Sequence, residues 1–311
     1  MNQNKPVTVV GSYNVGLFFK GKNLPQSGET VIGDIFYESW GGKGSNQAVA
    51  AATLGADVYF LGKIGNDRYG EDALRLYRER KISTDMIGIE TSIHSGMSVI
   101  IIDQFGRNMI SCVPGANFKL TCDDIDKYED RLSKSGLVGF QLESPLDVVI
   151  YAIRKVHSMG VMTLLDPAPA VKLPDEIFQY ITIIKPNETE TEILTGIKVD
   201  GIDSAKTAAH WFLDKGVSHV IITMGANGVL YMSAKESAHF PVPKIDCVDS
   251  TGAGDIFSGS LMAALSKGTS VTDSIIFANH AASLSVSKLG VIESIPAINQ
   301  VEAFMKNGLK G

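Results

Sequence analysis

Six short apolar runs recur along the chain, separated by intervals long enough for a helix. They are VTVV (7–10), VYFLG (58–62), LVGFQ (137–141), VMTLLD (161–166), ITIIKP (181–186) and HVIITMG (219–225). The apolar residues within each run are mostly consecutive rather than alternating. That pattern is typical of parallel strands covered on both faces, so it predicts six buried strands of one sheet.

Helical patterns fill the intervals between these runs. The first is predicted over 45–55, with Ser45 as its N-cap and Gly55 as the residue that ends it. Further helices are predicted over 67–81, 145–160, 187–196, after Gly254 and over 270–290. The alternation favours an α/β fold with a doubly wound, mostly parallel sheet flanked by helices. No linker marks a boundary, so residues 1–311 are expected to form a single domain.

Two stretches, 12–40 and 93–113, break this alternation. They contain the strand-like segments TVIGDIFYES, SGMSVIIID and RNMISCV and no helical pattern. We expect them to form a small β-sheet that projects from the core as a lid. Its exposed apolar face would need covering, which predicts a homodimer through the lid.

Composition narrows the classes of protein that fit. The chain has 311 residues, of which 44% are hydrophobic and 20% charged, as in an ordinary globular protein. A formal net charge of −6 disfavours nucleic acid as a partner. The first apolar run is too short for a signal peptide or a membrane span, so no membrane partner is expected. Three cysteines without zinc-site spacing predict reduced thiols and a cytoplasmic location.

The segment DSTGAGDIFSG (249–259) carries the strongest chemical signal. TGAG at the start of a predicted helix would let backbone amides approach a phosphate closely, at the positive end of the helix dipole. Asp255 follows in the first turn. A carboxylate beside a phosphate is costly unless it takes a proton from an attacking alcohol, which points to phosphoryl transfer. The residues alone also allow Asp255 to act only as a helix-start residue.

Two other phosphate-binding motifs do not fit. GGKGSN (41–46) lacks the spacing of a Walker loop, and GSYNVG (11–16) after the first strand lacks the dinucleotide pattern GxGxxG. A nucleoside-triphosphatase of the P-loop class and a dehydrogenase are therefore both disfavoured.

Several segments together resemble the ribokinase-like (PfkB) family of carbohydrate and nucleoside kinases. WGGKGSNQAVAAATLGADVYFLGKIGNDRYGE (40–71) is similar to the family's N-terminal signature, and DSTGAGDIFSG to its C-terminal one. The intervening blocks LESP, DPAPA, KPNETETEILTG and TMGANGV also fit, as do GSYN and PGAN. The similarity runs from about residue 7 to 296, and GGKGSNQAVAAATLGA and QLESP are most similar to the ribokinase branch.

The resemblance implies phosphorylation of a primary hydroxyl by ATP with Mg²⁺, beneath a β-lid that also forms a dimer clasp. It assigns Asp255 as the catalytic base, with the amides of Gly252, Ala253 and Gly254 as an anion hole. The residues implied to face the sugar are Asn14, Gly42, Lys43, Asn46, Glu143 and Asp255. Those implied near ATP and Mg²⁺ are Asn187, Glu190, Thr223, Gly225, Gly254 and Asn279. Those implied around a monovalent cation, K⁺, are Asp249, Thr251, Ser285, Lys288, Gly290 and Ser294.

Structural interpretations of some of these residues stay open. Gly42 could form only a tight turn, Asn46 could cap a helix, and Lys43 could be a solvated turn residue. Asn187 and Glu190 also fit a capping box at a helix start. Glu143 ends a buried strand, where a carboxylate without a partner is costly.

One position departs from the family pattern. The resemblance implies G-S-x-N-x-D after the first strand, with the aspartate bound to sugar hydroxyls, but this chain has Gly16 there. Loss of two such hydrogen bonds costs about 2–4 kcal/mol of binding. The leading hypothesis is a pentose kinase acting on D-ribose. Deoxyribose, a nucleoside or another sugar are alternative acceptors, and a sugar-binding protein without catalysis is an alternative of another class.

Overall fold

The computed structural model describes residues 5–308, and its strands and helices follow one another in a mixed α/β order. The strands are β1 (Val7–Val10), β2 (Asn14–Gly21), β3 (Gly33–Gly41), β4 (Val58–Gly65), β5 (Ser83–Glu90), β6 (Gly96–Ile102), β7 (Asn108–Val113), β8 (Leu137–Phe140), β9 (Met162–Leu165), β10 (Ile183–Ile184), β11 (His219–Thr223), β12 (Val229–Ser233) and β13 (Ser237–Phe240). The helices are α1 (Lys43–Thr53), α2 (Arg68–Glu79), α3 (Cys122–Lys127), α4 (Glu129–Leu132), α5 (Leu146–Ser158), α6 (Glu188–Thr195), α7 (Ile202–Asp214), α8 (Ala253–Ser266), α9 (Val271–Ser285) and α10 (Ile298–Gly308).

A nine-stranded sheet with the order β13-β12-β11-β10-β9-β8-β1-β4-β5 forms the centre of the fold. From β11 to β5 every neighbouring pair is parallel, and β12 and β13 complete one edge in antiparallel orientation. The chain leaves β1 toward β4 and β5, then returns to the other side of β1 through β8. The strand order therefore reverses between β1 and β8, which is where open α/β sheets bind their ligands.

Helices cover both faces of this sheet, which confirms the predicted doubly wound fold. Residues of α1, α2, α8 and α9 form the core on one face, and residues of α5 and α7 form the core on the other. Within β11, Ile221 packs into the first core while Val220 and Ile222 pack into the second. Because successive residues enter different cores, the buried strands are continuous apolar runs.

A second sheet of four strands, β3-β2-β6-β7, uses the two stretches that lacked helical patterns. β2 pairs with β3 in antiparallel orientation and with β6 in parallel orientation, and every residue of β7 is exposed. β2 starts at Asn14 and β3 ends at Gly41, immediately before α1. The base of this small sheet is therefore joined directly to the ligand-binding edge of the large one.

The structure differs from the predicted elements in a few places. α1 begins at Lys43 with Gly42 as its N-cap, so the prediction of Ser45 as N-cap is wrong. Gly42 has a φ of 87°, and a Cβ there would lie 2.6 Å from the amide nitrogen of Asn14, so glycine is required for this turn. The last long helix ends at Ser285 rather than near residue 290. No helix among residues 5–308 is long and apolar enough to cross a membrane.

Candidate active site

A cavity of about 690 Å³ opens at the carboxyl ends of the parallel strands, a volume typical of small-molecule sites. Residues from the ends of β9, β10 and β11 line it together with the first turn of α8. The predicted site residues in its lining are Lys43, Asn187, Glu190, Thr223, Gly225, Gly252, Ala253, Gly254, Asp255 and Asn279. The fold thus brings the residues predicted to bind nucleotide and phosphate to one cavity.

The turn before α8 has the geometry of an anion-binding helix start. Gly252 is the N-cap, with a φ of 75°, and a Cβ there would lie 2.4 Å from Cγ1 of Val291. The amide of Ala253 donates to the carbonyl of Ser250 at 3.2 Å. Within the described part of the chain, the amides of Gly252 and Gly254 have no acceptor. These two amides of the predicted anion hole are therefore available to a bound anion, whereas that of Ala253 is already bonded within the turn.

Asp255 lies on the third residue of α8 and is only 6% exposed. Its Oδ2 accepts a hydrogen bond from Nδ2 of Asn46 at 2.9 Å, and its Oδ1 accepts one from Nε2 of Gln47 at 3.3 Å. Both donors come from α1. Burial, followed by the nearby charge of Asp166, raises the pKa of Asp255, and Lys43 counteracts part of that increase.

The contact between α1 and α8 depends on Gly259. A Cβ at this position would lie 2.5 Å from Cβ of Ala50 and 2.5 Å from the carbonyl oxygen of Gln47. Glycine lets the two helices approach closely enough for Asn46 and Gln47 to reach the carboxylate of Asp255. Asn46 is therefore inside α1 and contacts the site, which excludes the alternative that it caps a helix.

A buried ion pair adjoins the same helix start. Nζ of Lys185 lies 2.9 Å from Oδ2 of Asp166, and their side chains are 4% and 3% exposed. Lys185 also donates to the carbonyl of Gly254 at 3.2 Å. Oδ2 of Asp166 accepts two further hydrogen bonds, from Gln47 and Ser258. This network joins the ends of β9 and β10 to α1 and α8.

Lys43 supplies a second cationic side chain to the cavity. Burial lowers its pKa, but the carboxylates of Asp255, Asp166 and Glu143 raise the pKa by more, so the net shift is upward. Lys43 is accordingly a protonated side chain at neutral pH. It is not the solvated turn residue of the alternative interpretation.

A polar cluster surrounds Glu143 between the ends of β1 and β8. Oε2 of Glu143 accepts hydrogen bonds from Oγ of Ser12 at 2.5 Å, Nδ2 of Asn14 at 3.3 Å and the amide of Lys43 at 2.9 Å. Asn117 holds Asn14 in place by donating to its Oδ1 at 2.9 Å. The carboxylate is thus partnered, and it also accepts from an amide at the start of α1, where the first turn lacks a side-chain cap.

Asn187 and Glu190 form a complete capping box at the start of α6. Oδ1 of Asn187 accepts from the amide of Glu190 at 2.8 Å, and Oε2 of Glu190 accepts from the amide of Asn187 at 2.8 Å. Both residues also line the cavity. Burial raises the pKa of Glu190, with Asp166 adding to the effect. The structural interpretation of this pair is therefore correct, and it leaves both side chains at the site.

The remaining predicted nucleotide residues surround the far end of the cavity. Thr223 ends β11 and forms an isolated parallel bridge with Asn187. Gly225 follows in a short turn with a φ of 48°. Asn279 on α9 is 6% exposed and donates to the carbonyl of Pro241 at 2.9 Å.

The residues predicted around a monovalent cation lie in two neighbouring turns. Oδ1 of Asp249 accepts from the amide of Thr251 at 2.9 Å, and Oδ2 accepts from the amide of Gly290 at 3.2 Å. Burial alone raises the pKa of Asp249, but these hydrogen bonds lower it by more. The hydroxyls of Ser285 and Ser294 donate to carbonyls within their own segments, and Lys288 is exposed. In the portion of the chain described, no group of three His, Cys, Asp or Glu side chains could hold a metal ion.

Sequence reasoning missed several residues of the site. Asp166 and Lys185 follow β9 and β10 directly, and their position at strand ends is the signal that would have identified them. Gln47 adjoins Asn46 in the N-terminal signature, and Asn117 closes the PGAN segment. Ser12 follows β1.

The comparisons with known proteins agree with this geometry. Residues 4–298 match the model of the pfkB family carbohydrate kinases. A ribokinase of Staphylococcus aureus (strain COL) is 37% identical over 297 residues, 95% of this chain and 98% of that protein. A deoxyribokinase of Salmonella typhi is 35% identical over 300 residues, 96% of this chain and 98% of that protein.

A solved structure is also similar over nearly the full length. The structure of Arabidopsis thaliana ribokinase complexed with ribose and ATP is 30% identical and superposes with a TM-score of 0.91, covering 97% of this chain and 99% of that one. Fold, motifs and full-length relatives therefore lead to one assignment, which confirms the resemblance found in the sequence. The chain belongs to the pfkB family of carbohydrate kinases.

Proposed function

We propose that the protein is an ATP-dependent pentose kinase that transfers the γ-phosphoryl group of ATP to the primary hydroxyl of D-ribose or a closely related pentose. One observation carries the proposal. Asp255 lines the large cavity and is held by Asn46 of α1, the helix whose first amide, that of Lys43, donates to Glu143 in the polar cluster. An alcohol bound by the cluster would therefore meet a phosphate bound in the cavity at this carboxylate.

Asp255 is proposed as the general base. As the hydroxyl oxygen forms a bond to the γ-phosphorus, the carboxylate takes the hydroxyl proton, and the bond from the γ-phosphorus to the β,γ-bridging oxygen breaks to release ADP. The upward pKa shift of Asp255, caused chiefly by burial, increases the affinity of the carboxylate for a proton. Asn46 and Gln47 orient the carboxylate through hydrogen bonds.

The negative charge of the phosphoryl group in transfer needs compensation. The amides of Gly252 and Gly254 offer hydrogen bonds, and Ala253 supports the turn through Ser250. Lys43 and Lys185 place positive charge in the same lining. Preorganised donors of this kind act strongly in a site from which water is excluded.

The cavity also fits a Mg²⁺ ion carried by the nucleotide. Mg²⁺ keeps several waters and uses one or two carboxylates with substrate phosphates rather than a cage of protein ligands. Glu190 and Asn187 at the cavity wall provide suitable oxygens for such water-mediated contacts. When bound, the ion would neutralise phosphate charge and orient the triphosphate.

The nucleotide itself is proposed to occupy the apolar end of the cavity. Thr223, Gly225 and Asn279 border this end. Val229, Val242 and Phe257 provide apolar surface for a base, as is usual for cofactor and nucleotide sites.

The pentose is proposed to bind beside the polar cluster around Glu143, facing the predicted sugar residues Asn14, Gly42, Lys43, Asn46 and Glu143. Oε2 of Glu143 accepts hydrogen bonds from three protein donors, and Oε1 has no donor among the described residues. A sugar hydroxyl bound to Oε1 would complete its hydrogen bonding. Such a charge-assisted hydrogen bond contributes about 1.5–3 kcal/mol.

Gly16 makes the identity of the acceptor a specific question. A Cβ at Gly16 would lie 2.7 Å from Cε2 of Phe18, whose ring stacks on Tyr37 with centroids 4.6 Å apart. Phe18 and Asn14 lie on the same face of β2, because residues an even number apart do so. This part of the sheet therefore presents an aromatic edge, which favours a sugar with fewer hydroxyls. A deoxyribose is accordingly the second candidate acceptor.

The loop around Asp249 is proposed to bind K⁺ through carbonyl oxygens. Support comes from the proximity of the two turns that Asp249 joins and from Val291, which contacts the position of Gly252. A cation there would order the loop against the anion-binding turn. K⁺ should therefore raise kcat at saturating ATP, whereas choline of equal ionic strength should not.

The small sheet is proposed to act as a lid and as the surface of a homodimer. Large apolar side chains are exposed on it, including Phe36 at 56% and Ile110 at 59%. Exposed apolar surface of this extent on an open sheet is a usual feature of interaction sites. Three free cysteines support a cytoplasmic location, where thiols stay reduced.

The decisive experiment measures ADP release by the purified protein with ATP, Mg²⁺ and a panel of acceptors. D-ribose or 2-deoxy-D-ribose should stimulate release well above the rate without sugar, with phosphate on the primary hydroxyl by NMR. A panel in which only a nucleoside or hexose reacts would reject the pentose assignment. Pentose binding by calorimetry without ADP release from ATP would reject the kinase.

A further inference from the structure

One buried side-chain amide bridges two carboxylates at the start of α8, those of Asp166 and Asp255. Gln47 has no solvent exposure, and its Nε2 donates to Oδ2 of Asp166 at 2.8 Å and to Oδ1 of Asp255 at 3.3 Å. A single –NH₂ group can donate two hydrogen bonds, so both can form together. Gln47 is thus the direct polar link between the ion pair of Lys185 and the proposed base.

The orientation of this amide is fixed by its surroundings. Oε1 of Gln47 accepts a hydrogen bond from Nε2 of Gln141 at 2.6 Å, and Gln141 is itself 1% exposed. A flipped amide would place Oε1 against two carboxylates, which is electrostatically unfavourable. The donor side of Gln47 therefore faces Asp166 and Asp255.

The two carboxylates differ in their partners. Asp166 has a cation within hydrogen-bonding distance, Lys185, and also a hydroxyl, Ser258. In the described structure Asp255 is hydrogen-bonded only by the neutral amides of Asn46 and Gln47. The charged groups that act on it from the packed elements are Lys43 of α1, Asp166 after β9 and Lys185 after β10. Without Gln47, Asp255 would keep one hydrogen-bond donor while still lying close to a second carboxylate.

From this geometry we infer that Gln47 is a positioning residue for the phosphoryl-transfer step. It fixes the rotamer of Asp255 through Oδ1 and stabilises the ionised carboxylate beside Asp166. The inference rests on the proposed function, since it assigns Gln47 a part in proton removal by Asp255. Gln47 is not expected to touch either substrate.

The test compares Gln47→Met with wild type and with Ser260→Ala. Methionine keeps the length of the side chain but donates no hydrogen bond. Ser260 is also buried, in α8, where its hydroxyl bonds only to the carbonyl of Ile256 at 2.6 Å, so its variant controls for loss of a buried polar group. Melting temperatures would establish that both variants fold.

For Q47M we expect kcat to fall about 10- to 100-fold, the scale of a small misplacement of a reacting group, with KM for pentose and ATP within about twofold of wild type. The acid limb of the kcat/KM profile should move up by about one pH unit, because a lost hydrogen bond to the ionised form raises the pKa of the base. S260A should change neither quantity. Wild-type kcat and an unshifted acid limb in Q47M would overturn the inference.

Gln47→Glu provides an independent readout should Q47M fold poorly. A protonated glutamic acid can still donate to Asp255, whereas an ionised one repels it. The ratio of Q47E to wild-type activity should therefore be at least about fivefold higher at pH 6 than at pH 8, since burial near other carboxylates raises the pKa of a Glu toward this range. A ratio that stays constant with pH would show that Gln47 is merely structural.

The controls separate this inference from the proposed function. A wild-type protein that phosphorylates no pentose would reject the proposed function. A wild-type protein that is active, and that Asp255→Asn inactivates while Q47M does not, would reject only the role of Gln47.

Discussion

Replacement of Lys185 by methionine tests the buried ion pair beside the glycine turn that precedes α8. The side chains of Lys185 and Asp166 are 4% and 3% exposed, and their charged atoms lie 2.9 Å apart. Methionine fills most of the same volume but leaves Asp166 without a cation within hydrogen-bonding distance. Breaking a buried pair by removing one partner costs about 3–5 kcal/mol, because the remaining charge is buried and uncompensated.

The hydrogen bonds of Asp166 place the expected cost at the lower end of that range. Its Oδ2 keeps two neutral donors after the substitution, Gln47 at 2.8 Å and Ser258 at 2.9 Å. We therefore expect a loss of about 3 kcal/mol in the free energy of unfolding, or a fall in melting temperature of roughly 4–6 °C for a chain of this size.

A double-mutant cycle with Asp166→Asn shows whether the cost arises from the unpaired charge. Both single variants should melt well below wild type, while D166N/K185M, which has no buried charge at this place, should recover at least half of the loss. Scanning calorimetry at one protein concentration, with and without ADP, measures all four proteins. Single variants that melt within about 2 °C of wild type, or losses that simply add in the double variant, would refute the reasoning.

Four further predictions concern catalysis and packing. Asp255→Ala should lower kcat by at least about 100-fold while ADP still binds, and comparable turnover in that variant would remove Asp255 from the mechanism. Because the pKa of Asp255 is raised and the base must be ionised, kcat/KM should fall as the pH drops, with the loss beginning above the ordinary range of an aspartic acid; a profile flat down to pH 4 would contradict this. Glu143→Ala should raise the KM for pentose at least about tenfold with the KM for ATP unchanged, as steady-state kinetics with each substrate varied will show; equal effects on both would argue against a sugar site. Gly259→Ala should destabilise the protein by about 1–3 kcal/mol and lower kcat, since the added Cβ would meet Ala50 and Gln47. Adding Ala50→Gly to G259A should restore stability and activity only in part. Full wild-type activity in G259A would show that the spacing of α1 and α8 does not matter.

Most strands of the large sheet could be predicted from the sequence, because each buried strand packs side chains into the cores on both faces of the sheet. β8 shows the reason, since Leu137 packs on one side and Val138 on the other, so both positions must be apolar. The strands that were missed lie toward or at the edges. β5 has one buried residue among exposed and half-exposed ones, and β13 has none that is buried, so both patterns are similar to those of loops. α7 was also missed, because its buried face is formed largely by alanines, which give only a weak apolar pattern.

The candidate site could be predicted from the sequence where the proposed chemistry depends on residue type, and it could not where the site depends on the pairing of distant side chains. Asp255 and the glycines before it have a pattern that indicates their task. Lys185 and Asp166 are separated by 19 positions, and nothing local in the sequence indicates that one buries its charge against the other. Gln47 has no chemical signature of its own, and only the structure reveals the two carboxylates that it contacts.

The small sheet enters and leaves the body of the protein through the very residues that face the proposed sugar. Its proximal end is consequently fixed, because Asn14 and Gly41 are paired in the strand register and continue into β1 and α1. Its distal turns, residues 22–32 and 103–107, are largely exposed and remote from that junction. We therefore expect the distal turns to accept insertions. Tags, linkers or a grafted recognition loop placed there would change the surface that the sheet presents to solvent and leave the residues at its base unchanged.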